Sequence, residues 1–278
     1  MSGTLTLGYS PCPNDTFIFH ALTHNCLESC RLKIRERLED VETLNQLARN
    51  GTLDLTKISY HALGHLREQY ALLRSGSALG RGCGPLVVTT EPKSMTALKG
   101  KKIAIPGQLT TANLLLQLFD EGYEDLLIVP FDRIMPALQN GEADAGVIIH
   151  ESRFTFRQLG FHEVQDLGAW WEQESGLPIP LGGILAKRSL GAETIREVDA
   201  AVRASLEYAY AHPQEARSYI RRHAQEIDDE VIDQHIGLYV NEFSLDLGEE
   251  GVKAVETLLG RAEDRGLIPA CDKPLIVS

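Results

Sequence analysis

The sequence predicts an α/β protein built as two lobes that face each other across a cleft. Three observations carry that prediction. Short apolar or β-branched runs alternate with helical patterns, and strand–helix alternation means parallel sheet. One unit occurs twice: a helix, an Asn-Gly stop, two residues, an aspartate and a short strand. It reads Asn50-Gly51-Thr52-Leu53-Asp54 before Leu55 to Ser59, and Asn140-Gly141-Glu142-Ala143-Asp144 before Ala145 to Ile149. A repeat this short also arises by chance. Finally, Leu86 to Thr90 and Ile184 to Ala186 read as strands that cross between lobes. They make residues 91–186 one lobe, and residues 1–90 with 187–278 the other, discontinuous one.

Taken in order, Leu5 to Tyr9 alternates like a strand. It ends in Ser10-Pro11-Cys12-Pro13-Asn14-Asp15-Thr16, where Asn14 or Asp15 is expected to cap a helix beginning near Phe17. Leu32 to Leu38 is a second strand, and Asp40 caps the helix carrying Val41, Leu44, Leu47 and Ala48. After the strand to Ser59, a helix is expected through about Arg74. Gly80-Arg81-Gly82-Cys83-Gly84-Pro85 lacks the lysine–serine pair of a phosphate loop and leads into a strand. Ile103 to Ile105 precedes a helix with Leu114, Leu115, Leu118 and Phe119, for which Thr110 or Thr111 is the N-cap. A helix N-terminus behind a strand end is an anion site in waiting, and an ordinary cap otherwise. Leu127 to Val129 is a strand, and Trp170-Trp171 falls in a loop. From about Ala192 the pattern is helical: Ile195 to Tyr210, Pro213 to His223, Asp228 to Tyr239 and Glu249 to Arg265. The acidic run Glu226 to Glu230 reads as a solvated helix face.

The 278 residues suffice for a sizeable core. A net charge of −12 argues against nucleic acid and anionic membrane as partners, while leaving room for a small anion in a local positive pocket. No segment approaches the length of a membrane span. The N-terminus lacks the basic region and apolar core of a signal peptide, so a cytoplasmic location is expected. The five cysteines show no Cys-x-x-Cys spacing, which leaves buried free thiols as the simplest reading. Oligomeric state leaves no signal.

Chemistry converges on His150. An apolar strand delivers it to the carboxyl end of a sheet, the edge where open α/β sheets bind ligands. A histidine there also serves as an ordinary hydrogen-bonded residue. Its ordinary pKa of about 6.5 suits it to take a proton at neutral pH, opposite a lobe offering Lys57 and Ser59. His20-x-x-x-His24 and His61-x-x-x-His65 have zinc-ligand spacing but lack the glutamate of His-Glu-x-x-His, so no metal site is expected. No Gly-x-Ser-x-Gly elbow occurs. Cys12 is the best-placed thiol, and between two prolines its reading is structural.

Longer motifs add a resemblance. Ser10-Pro11-Cys12-Pro13-Asn14-Asp15-Thr16-Phe17-Ile18-Phe19 resembles the N-terminal signature of the 1,4-dihydroxy-6-naphthoate synthase family, enzymes of menaquinone synthesis by the futalosine route. Leu38 to Asn45, Ala78 to Gly82, Ile148 to Thr155, Asp166 to Glu172 and Tyr239 to Asn241 resemble it too, over nearly the whole chain and in order. The resemblance implies a type II periplasmic-binding-protein-like fold with an interlobe ligand cleft. It implies a cofactor-free lyase that turns cyclic dehypoxanthine futalosine, a small anionic carboxylate, into 1,4-dihydroxy-6-naphthoate. The family's proton acceptor falls on His150. Its substrate-binding Lys-Leu-Ser falls on Lys57, Ile58 and Ser59, with isoleucine in the middle, and its Thr-Ala pair on Thr111 and Ala112. Two other functions suit such a clamp: a binding protein without chemistry, and the chorismate dehydratase of the same route.

Overall fold

The computed structural model describes residues 3–28, 30–150, 152–224 and 228–277. Glu151 and the start of the Glu226 to Glu230 run therefore lie outside the described residues. The chain begins β1 (Leu5–Tyr9), α1 (Pro13–Thr23), β2 (Ile34–Leu38), α2 (Val41–Arg49) and β3 (Leu55–Ser59). Asp40 caps α2 by accepting from the N–H groups of Glu42 and Thr43. The helix ends at Gly51, whose φ of +62° suits a residue without a side chain. Asp54 then accepts from the N–H and hydroxyl of Thr6, at 2.9 and 2.8 Å, and so docks β3 beside β1.

Next come α3 (Tyr60–Leu66), β4 (Tyr70–Leu72), β5 (Ala78–Gly80) and β6 (Leu86–Thr89). The expected helix to Arg74 thus stops at Leu66, and two short buried strands follow it. A second unit follows: β7 (Ile103–Ile105), α4 (Thr111–Phe119), β8 (Leu126–Ile128), α5 (Ile134–Gln139) and β9 (Ala145–Ile148). It repeats the first. Gly141 ends α5 with φ +72°, and Asp144 accepts from Lys102 N–H at 3.2 Å to dock β9 beside β7. Strand orders β2-β1-β3 and β8-β7-β9 match, all parallel. The short Asn-Gly-x-x-Asp repeat is therefore the visible part of a duplicated βαβαβ unit.

The chain continues through α6 (Ser152–Thr155), β10 (His162–Asp166), α7 (Leu167–Ser175) and β11 (Ile179–Lys187). Helices α8 (Ala192–Ala211), α9 (Arg217–His223), α10 (Asp229–Tyr239), α11 (Glu242–Leu245) and α12 (Gly248–Asp264) complete it. Trp170-Trp171 lies in α7 rather than a loop, because Asp166 caps that helix by accepting from the N–H groups of Gly168 and Ala169. The two sheets run β2-β1-β3-β11-β4, with β5 on β11, and β10-β6-β9-β7-β8. Both crossing strands are antiparallel to their neighbours: β6 to β9 and β10, β11 to β3, β4 and β5. A strand arriving from the opposite lobe enters from the facing edge, so it runs against the strands already there. The chain accordingly changes sheet before β6 and before β11, a few residues earlier than the expected positions 90 and 186.

One apolar cluster is continuous through the hinge, joining Leu63 and Leu66 of α3, Leu114 and Leu115 of α4, and Leu258 and Leu259 of α12. Separate clusters line the outer faces, with Phe19, Val198 and Leu206 on the first lobe and Val88, Ile134 and Ile148 on the second. Among the described residues no helix is long and apolar enough to cross a membrane. The tightest backbone approach lies at the hinge, where a Cβ on Gly84 would sit 2.3 Å from the Cα of Gly168. Gly84→Ala should lower the free energy of unfolding by about 1–3 kcal/mol, read from urea denaturation, because backbone rather than a movable side chain must yield.

Candidate active site

The first lobe supplies its groups from the ends of β1 and β3. Pro13 occupies the first turn of α1, where its missing N–H costs nothing. The helix therefore starts at Pro13, four residues before the expected Phe17, and its N-cap is Cys12. Asn14 and Asp15 are not caps, and their side chains serve the cleft. Asp15 accepts from Ser10 N–H at 3.1 Å and Ser10 Oγ at 2.7 Å, and its other oxygen lies 2.5 Å from Lys57 Nζ. Both partners are buried, at 4% and 5% exposure. Lys57 is thus neutralised by Asp15 rather than held ready as a free positive charge. Removing water from such a pair is costly, and close geometry must offset it. Asn14 donates to Asp15 at 2.8 Å and accepts from His235 Nε2 at 2.9 Å, which places that imidazole's proton on Nε2. Burial, with His150 and Lys57 nearby, holds the His235 pKa well below its ordinary value, so the ring is neutral. Asn45 fixes Ser59, accepting from its N–H at 3.1 Å and donating to its hydroxyl at 3.3 Å.

The second lobe contributes the N-terminus of α4. Thr110 is the N-cap, accepting from Asn113 N–H at 3.3 Å. The Thr111 hydroxyl is engaged across the lobes, donating to the Leu181 carbonyl at 2.5 Å and accepting from Tyr60 N–H at 3.0 Å. What faces the cleft for an anion is then the pair of N–H groups of Thr111 and Ala112, which a first helical turn leaves without intrahelical acceptors. His61 supports this corner by donating from Nδ1 to the Thr110 carbonyl at 3.2 Å. Burial, with His65 close by, pushes its pKa down to about 4.

His150 stands just past β9, facing both groups. Its φ of +57° is left-handed, a conformation costing a non-glycine residue about 1–2 kcal/mol. Its ring stacks on Phe131 with centroids 4.9 Å apart and lies 5.9 Å from His235. Nδ1 is 2.9 Å from Cys12 Sγ. Arg153, three residues on, donates to the Gly84 carbonyl and to Asp166 Oδ2, tying the turn after His150 to the hinge.

A single cavity of about 740 Å³, including its mouth, gathers His150, Lys57, Ile58, Ser59, Thr111 and Ala112. Sequence reasoning missed Ser10, Asp15, His235 and Tyr239, which also line it. The spacing of His235 and Tyr239, four apart on one face of α10, was the available signal. The zinc-spaced pairs stay apart from any ligand set: His20 stacks on His24, and His61 faces His65. Among the described residues no group of three His, Cys, Asp or Glu side chains is arranged to hold a metal.

Known structures share this architecture. The periplasmic aliphatic sulphonate binding protein of Escherichia coli superimposes with a TM-score of 0.65 at 15% identity, covering 99% of this chain and 91% of that one. The fold is thus the two-lobed, periplasmic-binding-protein-like α/β class. A crystal structure of an Archaeoglobus fulgidus protein is more alike, with a TM-score of 0.90 and 38% identity, covering 96% and 99% of the two chains. Residues 5–264 match a family model described as menaquinone biosynthesis. The 1,4-dihydroxy-6-naphthoate synthase of Thermus thermophilus is 55% identical over 98% of this chain and 99% of its own. That of Streptomyces coelicolor is 47% identical over 96% and 95%. The chain belongs to this menaquinone-biosynthesis family, with the 1,4-dihydroxy-6-naphthoate synthases.

His61 carries a pH test. Its folded pKa of about 4 lies below the ordinary 6.5, so the unfolded chain binds the proton more readily. The resulting stability is complete above about pH 6.5 and disappears as pH falls toward 4, with His235 acting in the same direction. Unfolding free energy should drop by about 1–3 kcal/mol more in the native protein than in His61→Gln between pH 7 and 4.5. Equal slopes in urea melts would remove His61 from the account.

Proposed function

We propose that this protein is a lyase that converts cyclic dehypoxanthine futalosine into 1,4-dihydroxy-6-naphthoate, with His150 as general base. The observation that carries the proposal is the cavity itself. His150 and the Lys57–Ser59 segment share one cleft with the Thr111–Ala112 amides, although they come from three separate strand ends. The amides of Thr111 and Ala112 take the substrate carboxylate at the positive end of α4. Lys57, held by Asp15, supplies hydrogen bonds rather than net charge. His150 removes a proton beside an activated carbon. The electron pair left behind enters the forming aromatic ring, and the bond to the sugar-derived fragment breaks.

Support for a small anionic ligand comes also from the sulphonate-binding protein of like fold. The lobes are proposed as residues 1–90 with 187–278, and 91–186, with β6 and β11 as the straps between them. A cytoplasmic location suits a biosynthetic family.

Purified protein incubated with cyclic dehypoxanthine futalosine should release the naphthoate and leave chorismate untouched. Recovery of unchanged ligand would make it a binding protein, and dehydration of chorismate would make it the dehydratase. His150→Ala should lose at least about 10²-fold in turnover with its melting behaviour retained. Near-normal turnover in that variant rules out the base assignment.

Lys57→Met tests the buried pair separately. It strands the Asp15 carboxylate, and should cost about 3–5 kcal/mol of stability in urea denaturation. The double substitution Lys57→Met with Asp15→Leu should recover most of that loss, because two matched apolar groups replace the matched charges.

A further inference from the structure

One contact across the cleft plays no part in the mechanism above. Cys12 Sγ, on the first lobe, lies 2.9 Å from Nδ1 of His150, on the second. We infer that Cys12 is a positioning residue for His150: its sulfur accepts the Nδ1 proton, and this makes Nε2 the nitrogen that takes the proton of the substrate. The inference rests on the reading of His150 as the base and goes one step behind it.

The chemistry is constrained by proton count. A neutral imidazole carries one N–H, and a partner on one nitrogen decides which nitrogen is left basic. If sulfur accepts from Nδ1, Nε2 is the base. If the thiol donates to Nδ1, Nε2 carries the proton and cannot take one from the substrate, so any abstraction must go through Nδ1. The contact thus bears on which nitrogen faces the substrate as the base.

Three features favour the accepting sulfur. Cys12 is the N-cap of an eleven-residue helix, where aligned amides stabilise negative charge on sulfur. Asp15, the carboxylate in that same turn, is already matched by Lys57 and so opposes this little. The sulfur is also fixed in place. Cys12 is 5% exposed and set between Pro11 and Pro13, and its carbonyl accepts from the N–H groups of Asp15 and Thr16 at 3.1 and 3.0 Å. On the other side, the left-handed backbone of His150 and its stack on Phe131 limit how the ring turns. Backbone strain at a site residue persists only where the surroundings over-determine it, and here the surroundings aim one ring edge at one sulfur.

The step balances without further reactants. The proton passes from the substrate carbon to Nε2, its electron pair stays with the substrate, and the new imidazolium is opposed through Nδ1–H···Sγ. Cys12 neither gains nor loses a proton. Its part resembles that of a carboxylate behind a catalytic histidine.

The test reads the tautomer directly. Nitrogen-15 NMR of histidine-labelled full-length protein at pH 8, with the His150 signals assigned by their loss in His150→Ala, should show a protonated Nδ1 and a bare Nε2. Cys12→Ala should lose that preference and fall about 10–100-fold in kcat with KM nearly unchanged. Cys12→Asp, which restores an acceptor for Nδ1–H, should recover most of kcat. A bare Nδ1 in the native spectrum overturns the inference whether or not the variants fold, as does a Cys12→Ala protein with the native tautomer or full turnover. The two readings fail differently. An active His150→Ala alongside a protonated Nδ1 removes the base and leaves the pairing; an inactive one alongside a bare Nδ1 does the reverse.

Discussion

The Thr111 hydroxyl sets the relation between the lobes. It donates to a carbonyl of the strap β11 and accepts from the first N–H of α3, so one small group is satisfied twice by the opposite lobe. Thr111 is buried, and a buried hydroxyl deprived of its partners carries a desolvation penalty. The N-terminus of α4 is thereby held against the ends of β3 and β11, with His61 bracing the preceding carbonyl and Glu42 accepting from Leu109 N–H at 3.2 Å. The amides proposed to hold an anion owe their position to this clasp. The shared apolar cluster of α3, α4 and α12 behind it keeps the jaws in register.

Within the cleft the electrostatics are those of matched groups. Among the described residues of the cleft, Lys57 is paired with Asp15, and the neighbouring His235 is neutral. A carboxylate bound as proposed would therefore meet helix dipole and oriented N–H groups before it met a formal charge. Such preorganised dipoles need no reorganisation as charge develops, which suits a reaction whose charge moves from a C–H bond into a ring. A free lysine would bind the anionic ground state more tightly without acting on the transition state. The base proposed for this chain, His150, stands where the duplicated unit delivers its second strand end.

Much of this was legible in the chain. The β-branched runs, the Asp40 cap and the two Asn-Gly stops followed from local physics, because a left-handed glycine or a capping carboxylate acts within a few residues. The long motifs carried the six expected site residues, and one cavity gathers them. The errors were also local. Tyr70–Leu72 and Ala78–Gly80 were hidden because three-residue strands have no measurable period, and α7 because its tryptophans gave no polar alternation. Helix α1 begins four residues before the expected Phe17 because Pro13, lacking an N–H, suits the first turn of a helix as well as a loop.

The sequence by itself determined the alternation of elements and the repeated unit, and it named the residues proposed to carry chemistry, since each of these is read from neighbours along the chain. Tertiary structure alone decided which partners those residues meet. That Lys57 is neutralised by Asp15, that His235 returns from α10 to the floor beside Asn14, and that Cys12 reaches His150 depend on contacts spanning 42, 221 and 138 residues. Charge state and tautomer belong to those pairs, because an ionisable group takes its character from what surrounds it in space rather than from what precedes it in the chain.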